Sequence, residues 1–143
     1  MPSIMRRAEI IRRASGMYLV QQLDDSELSA VHYSYIHKIC KYPGMSQMKL
    51  GKSLCISKSN VTRHLAFLEK NGYIERKNSD EDKREVLIFP TKKMLDLYPR
   101  VLALHEKWDL LVTSDMDEKE KEQFSVLMKK VLDKSLSVID REV

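Results

Sequence analysis

Six charged or hydrogen-bonding side chains, Lys58, Ser59, Asn60, Thr62, Arg63 and His64, fall within seven consecutive positions, and Ser57 stands just before them. Val61, Leu65 and Leu68 run through the same stretch at steps of four and three, the spacing of one face of a helix. The spacing predicts a helix that buries its aliphatic stripe and holds its polar groups outward, with the pairs Lys58/Thr62 and Ser59/Arg63 one turn apart on the far side. Such a helix fits the major groove of DNA. Arg there reads guanine, Asn reads adenine, Ser and Thr take either role, and Lys can hold phosphate. A helix that was merely solvated would more often alternate Glu with Lys, yet Glu69 is the only acid between Gln47 and Lys70.

Other chemistry finds little support. The four histidines, His32, His37, His64 and His105, are scattered, and neither a Gly-rich phosphate loop nor a Ser/His/Asp spacing is present. No enzymatic activity, cofactor or metal is expected; His105 and Asp109 share a helix face, but two groups make an incomplete metal site. Cys40 and Cys55 match no zinc spacing and cannot form a disulfide framework, and both are read as buried small hydrophobes. Charge is the more useful clue. Of 143 residues, 25 are basic and 21 acidic, and the stretch Ser46 to Lys93 holds eleven Lys and Arg against six Asp and Glu. The whole positive excess therefore lies in the middle third, and a concentrated positive field attracts polyanions chiefly by releasing the counterions condensed on phosphates.

The elements around that stretch follow from the same periodicities. With four Gly and four Pro, the chain has little material for a loop-rich sandwich and reads as mainly α. Ile4, Ala8, Ile11, Ser15 and Tyr18 predict a first helix; Asp24, Asp25 or Ser26 would cap a second through Leu28, Val31, Tyr35, Ile36 and Ile39, which Pro43 and Gly44 stop. Ser46 would cap a short helix carrying Leu50 and Leu54, and small Gly51 would let a neighbouring helix come close. After a turn at Cys55 and Ile56, Ser57 would cap the polar helix, and Asn71 and Gly72 would end it in the left-handed conformation. Tyr73 to Lys77 and Glu85 to Phe89 read as a β-hairpin with a charged tip, Asn78 to Arg84. Thr91 would then cap a helix that Pro99 should kink or interrupt, and Asp117 with Glu120 forms a capping box before a last helix bearing Phe124, Leu127, Met128, Val131 and Leu132 on one side.

Gln47 to Lys70 thus makes a helix-turn-helix, followed by a hairpin. Acids in the hairpin tip make sense if Asp82 holds the Arg84 guanidinium in one orientation for a narrow minor groove, because a fixed fork loses less freedom on binding. Arg76, Lys77 and Lys83 would add basic groups near phosphates. The two ends carry more apolar surface than a centre of about 70 residues can cover, which predicts packing on a second copy. The longest apolar runs, such as Val86 to Pro90, are far shorter than the roughly 18 residues of a membrane span. Arg6, Arg7, Arg12 and Arg13 are interrupted by Glu9 and lead into no cleavable apolar block, so a cytoplasmic location is expected.

Three stretches together resemble the MarR (multiple-antibiotic-resistance regulator) family: Ile56 to Leu65, then Leu68 to Arg76, then Asp80 to Arg84 with Thr91. The resemblance runs from Ile56 to Thr91, and the order of helices extends it to nearly the whole chain. It implies a winged helix-turn-helix repressor or activator, taken here as a repressor, with Ser57 to His64 as recognition helix and Asp82 with Arg84 as the wing-tip pair. It further implies a homodimer joined through its N- and C-terminal helices on near-palindromic double-stranded DNA, and in many members a small aromatic or anionic effector. The expected segments are 1–23 and 92–143 for dimerisation and 24–91 for the DNA-binding lobe. The chain departs from the family pattern at Pro90, Met94 and Gly51, where an aliphatic residue, Gly and Ala are usual. The rival expectation is a winged-helix module whose basic face binds an acidic protein partner.

Overall fold

The computed structural model describes residues 3–142. Met1, Pro2 and Val143, which belong to the expected terminal segments, lie outside the described residues. In order, the elements are α1 (Ile4–Gln22), α2 (Ala30–Lys41), β1 (Met45–Ser46), α3 (Gln47–Leu54), α4 (Lys58–Lys70), β2 (Ile74–Asn78), β3 (Val86–Pro90), α5 (Lys92–Val112) and α6 (Glu118–Glu142). The fold is mainly α with a small β wing, as expected. No described helix is long and apolar enough to cross a membrane. The chain divides into two compact units, Met1–Glu106 and Lys107–Val143.

The first unit has one core, built largely from the predicted stripes, though Ile4 and Ile11 of α1 and Val31 of α2 are exposed and Leu19 and Tyr33 are buried in their helices instead. Tyr33, Tyr35, Ile36 and Ile39 of α2 meet Leu50 of α3 and Val61, Leu65 and Leu68 of α4, all almost fully buried. Truncating a residue such as Leu65 to Ala would cost about 2–5 kcal/mol. Met94 and Val101 of α5 are buried in the same core, so Met94, where the resemblance would place Gly, adds a flexible apolar side chain to it. Two glycines set helix spacing. A Cβ on Gly51 would meet Val61 Cγ2 at 3.0 Å, so its small size does bring α3 against α4, and a Cβ on Gly16 would meet Ala30 Cβ at 2.8 Å, which pins α1 to the start of α2.

Several caps differ from expectation. Ser46 caps α3 as predicted, its Oγ accepting from Lys49 N–H at 3.2 Å. The N-cap of α2 is Ser29, not Asp24, Asp25 or Ser26; Asp25 pairs instead with Arg100, and Ser26 Oγ bonds Tyr33 Oη at 2.9 Å. Ser57 occupies the N-cap of α4 with extended backbone, but its hydroxyl makes no capping bond. At the far end only Gly72 is left-handed (φ 78°); Asn71 stays at φ −90° and donates its side-chain amide to Phe67 O. Thr91 Oγ1 accepts from Met94 N–H and donates to Gly72 O, tying the start of α5 to the end of α4. Pro99 does not interrupt α5, which runs through it; the missing N–H leaves one helical bond unmade. Asp117 and Glu120 form the predicted capping box, each side chain accepting from the other's backbone N–H at 2.9 Å.

The hairpin is the larger part of a three-stranded antiparallel sheet with order β1-β3-β2. Arg76 pairs with Ile88 and Met45 with the same Ile88 from the other side, so the central strand is β3. Two-residue β1 shows no periodicity and escapes sequence reading. In the second unit, by contrast, none of the described aliphatic side chains of α6 is buried.

Candidate nucleic-acid interface

The turn between α3 and α4 is the first positioning device. Cys55 ends α3 in the left-handed region (φ 53°), and its N–H bonds Lys52 O at 3.2 Å while Ile56 N–H returns to Gly51 O at 3.1 Å. That tight reversal starts α4 at a fixed angle to α3. Cys55 is exposed, which corrects its reading as a buried hydrophobe: the left-handed turn points it to solvent. Cys40 is half-buried, and burial pushes its thiol up to about 11, so it packs as a neutral group.

With Val61, Leu65 and Leu68 held in the core, Ser57, Lys58, Ser59, Asn60, Thr62 and Arg63 are all exposed. Two of them are organised by neighbours. Arg63 Nη2 donates to Asn60 Oδ1 at 2.9 Å, and Thr62 Oγ1 donates to Lys58 O at 3.0 Å while accepting from Gln47 Nε2 at 3.2 Å. His64 departs from the outward arrangement. It is half-buried, shares a 2.8 Å hydrogen bond between its Nδ1 and Tyr35 Oη, and lies edge-on to the Tyr35 ring. Its position one residue past Arg63 turns it toward α2, so it braces the helix rather than extending the outward face. Burial, then the charge of Arg63, holds His64 below the ordinary imidazole range.

Beside it, His32 of α2 is buried and stacks on Phe67 of α4, ring centroids 4.3 Å apart. Its Nδ1 accepts from Ser29 N–H at 3.0 Å, which closes the first turn of α2. Burial, then the charge of His64, lowers its pKa as well.

The wing is shaped by Ser79, which is buried although polar. Its Oγ accepts from Glu81 and Asp82 N–H, and Ser79 N–H bonds Glu85 O at 2.8 Å, folding the tip back on itself. Asp82 Oδ1 then accepts from both Arg84 N–H (3.0 Å) and Arg84 Nε (3.2 Å), while the Arg84 side chain is 92% exposed. The predicted Asp82–Arg84 contact exists. Lys83 is exposed at the same tip, and Lys77 is exposed over the Phe89 ring, 5.4 Å from its centroid. Arg76 is different. Both Nε and Nη2 are given to Glu69 of α4, at 3.1 and 2.9 Å, so its charge braces the wing against the helix-turn-helix and is locally cancelled. That hydrogen bond also holds the Glu69 carboxyl below its usual range.

The sequence reading missed Gln47, which links α3 to the outward face of α4. The signal was there: Gln47, Leu50 and Leu54 fall at steps of three and four, so Gln47 is the polar end of the stripe that faces α4. Among the described residues no cluster of three or more His, Cys, Asp or Glu could hold a metal ion.

Residues 28–86 match the family model described as the MarR family. A curated Bacillus subtilis protein named as an uncharacterized HTH-type transcriptional regulator, YybA, is 28% identical over 92% of this chain and 87% of its own length. The Escherichia coli transcriptional repressor MprA is 36% identical, over 50% of this chain and 44% of its own. A Listeria monocytogenes structure assigned to the MarR family, complexed with a 26mer DNA, superposes with a TM-score of 0.88 at 28% identity, covering 96% of this chain and 91% of that one. With the polar recognition helix, its buried leucine stripe and a wing carrying the Asp82–Arg84 pair, residues 28–86 form a winged helix-turn-helix that matches the MarR family, and the chain as a whole is similar to HTH-type transcriptional regulators.

Proposed function

We propose that this protein is a homodimeric repressor that binds near-palindromic double-stranded DNA sequence-specifically through α4 and the wing, and that a small aromatic or anionic effector releases it. The observation that carries the reading is the outward face of α4, where Ser59, Thr62 and Arg63 stand exposed over a fully buried Val61, Leu65 and Leu68. Base edges in the major groove need hydrogen-bonding groups on a rigid helix, and this helix has both. Lys58 and Lys77 supply phosphate contacts, and Arg84 with Lys83 the contacts at the wing tip. The DNA-bound Listeria relative and the MprA repressor support the DNA and repressor parts.

The dimer part is supported by surface. Ile10, Ile11 and Met17 of α1, and Leu127, Val131 and Leu132 of α6, are large hydrophobic residues left exposed in a single chain. A monomer seldom leaves so many large apolar side chains open to water. Two recognition helices related by a twofold axis would enter major grooves about 34 Å apart, one helical turn of the duplex. The effector part rests on the resemblance to the MarR family alone.

The test is binding to duplex DNA selected by the protein itself, with salt varied. Affinity falls by orders of magnitude between about 50 and 200 mM salt, and Arg63→Ala lowers affinity for the selected duplex far more than for random duplex. Absence of DNA binding at low salt would instead favour the basic face meeting an acidic protein partner. Release of bound duplex by members of a panel of small aromatic acids checks the effector part, and no release across a broad panel would make the protein a constitutive binder.

A further inference from the structure

Resting on the DNA-reading function above, the hydrogen bonds within the outward face of α4 say which base edges it can accept. A threonine hydroxyl has one proton to donate and two lone pairs. Thr62 spends the proton on Lys58 O and one lone pair on the Gln47 amide. What an exposed Thr62 has left for a partner is chiefly its methyl group. A carboxamide reads adenine by pairing its oxygen and its NH2 with the base at once. Asn60 gives one of the two lone pairs of its oxygen to Arg63, which ties the orientation of the amide to that guanidinium, so it is not free to turn its oxygen and NH2 together toward an adenine. The Arg63 guanidinium, held at Nη2, keeps its other N–H groups for a guanine edge.

We propose that this face presents DNA with donors and a methyl group: Arg63, positioned by Asn60, reads a guanine, and Thr62, positioned by Gln47 from the preceding helix, contacts the methyl of a thymine. Asn60 and Gln47 are thus positioning residues for specificity, and the hydroxyl of Thr62 is not a reader. The two pairs use separate neighbours, one within α4 and one across to α3. The sites they predict have a G·C pair and an A·T pair within each half, read by side chains one position apart on the helix.

The experiment selects duplexes with a randomised centre using the full-length protein, then compares variants on the selected site and its single-base changes. The position read by Arg63 is the one whose preference disappears in Arg63→Ala. Asn60→Ala is expected to reduce the guanine preference at that same position by about tenfold, and Asn60→Asp, which keeps an acceptor for Arg63, to retain it while its charge weakens binding to every duplex. Thr62→Val keeps the methyl and retains a thymine preference; Thr62→Ser loses it, and Gln47→Ala relaxes it less than Thr62→Ser does. Affinity for random duplex, measured alongside, separates misfolding, which lowers both affinities, from lost reading, and Asn60→Asp and Thr62→Val carry the test if the other variants fail to fold. The proposal is overturned if Asn60→Ala erases an adenine preference elsewhere and spares the Arg63 position, or if Thr62→Ser keeps the thymine preference that Thr62→Val loses. A wild-type protein that enriches no consensus overturns the DNA-reading function itself.

Discussion

Asp82 grips Arg84 at two points, backbone and guanidinium, while the rest of that side chain stands in solvent. An exposed ion pair adds little to stability, about 0–1 kcal/mol, so its value here is geometric. Asp82→Ala is therefore expected to leave thermal stability nearly unchanged and to raise affinity for random duplex slightly, because an acid is removed. Affinity for the selected duplex falls, so the ratio of specific to random binding in fluorescence anisotropy drops. Glu27, between α1 and α2, makes a different kind of contact: its carboxylate accepts from Lys93 Nζ at 2.6 Å and from Tyr73 Oη at 2.8 Å, and Lys93 also sits 4.4 Å over the Tyr73 ring. The Lys93 hydrogen bond, then its own backbone N–H and that of the Tyr73 hydroxyl, hold the Glu27 carboxyl down at about 2, against an ordinary 4.5. A lowered carboxyl stabilises the fold fully above the ordinary value and loses that contribution as pH falls through the lowered one. Glu27→Gln should cost about 1 kcal/mol or less at pH 7 in urea denaturation, with the difference from wild type closing between pH 4.5 and about 2.

At the scale of elements, the joint between α2 and α4 is a pair of imidazoles that both favour the neutral form. Burial lowers His32 and His64 below 6.5, and the unfolded chain takes up protons there first. Stability is full above about pH 6.5 and declines as pH drops through the folded values, before most carboxylates titrate. Melting temperature should therefore fall between pH 7 and pH 5, by about 2–4 °C for each kcal/mol lost, and His64→Gln should flatten the decline; an unchanged slope would show that the α2–α4 joint does not sense protons. Most of this framework was legible from period alone, because the stripes in α2, α4 and α5 are long enough to repeat. What escaped was what depends on partners distant in sequence. Ser29 is the cap of α2 while Asp25 and Ser26 are taken by Arg100 and Tyr33, and no local pattern reveals that. His64 looked like part of the outward run because it is polar, yet Tyr35, 29 residues earlier, claims its ring. Arg76 likewise looked free to meet phosphate until Glu69, seven residues back, closed on it.

For the whole molecule, the proposed dimer would draw on the exposed apolar residues of α6. Leu127→Asp with Val131→Asp places two charges one turn apart on a surface that is open in the single chain. Sedimentation should then give the mass of one chain at micromolar concentration, with the central fold intact by circular dichroism and affinity for the selected duplex reduced by orders of magnitude, since one bound half then no longer recruits the other. A double variant that still sediments as two chains would place the contact elsewhere. Within one chain, Ser46 has two duties: it is a rung of the sheet opposite Leu87 and the residue that caps α3. The strand that leads away from the tip and the helix that leads into the turn are therefore joined at a single amino acid. On the proposed DNA-binding function, a sideways pull on the tip, as from a groove that widens or narrows, is expected to reach α3 through that shared hinge pin, tying the two ends of the grip on a duplex to each other.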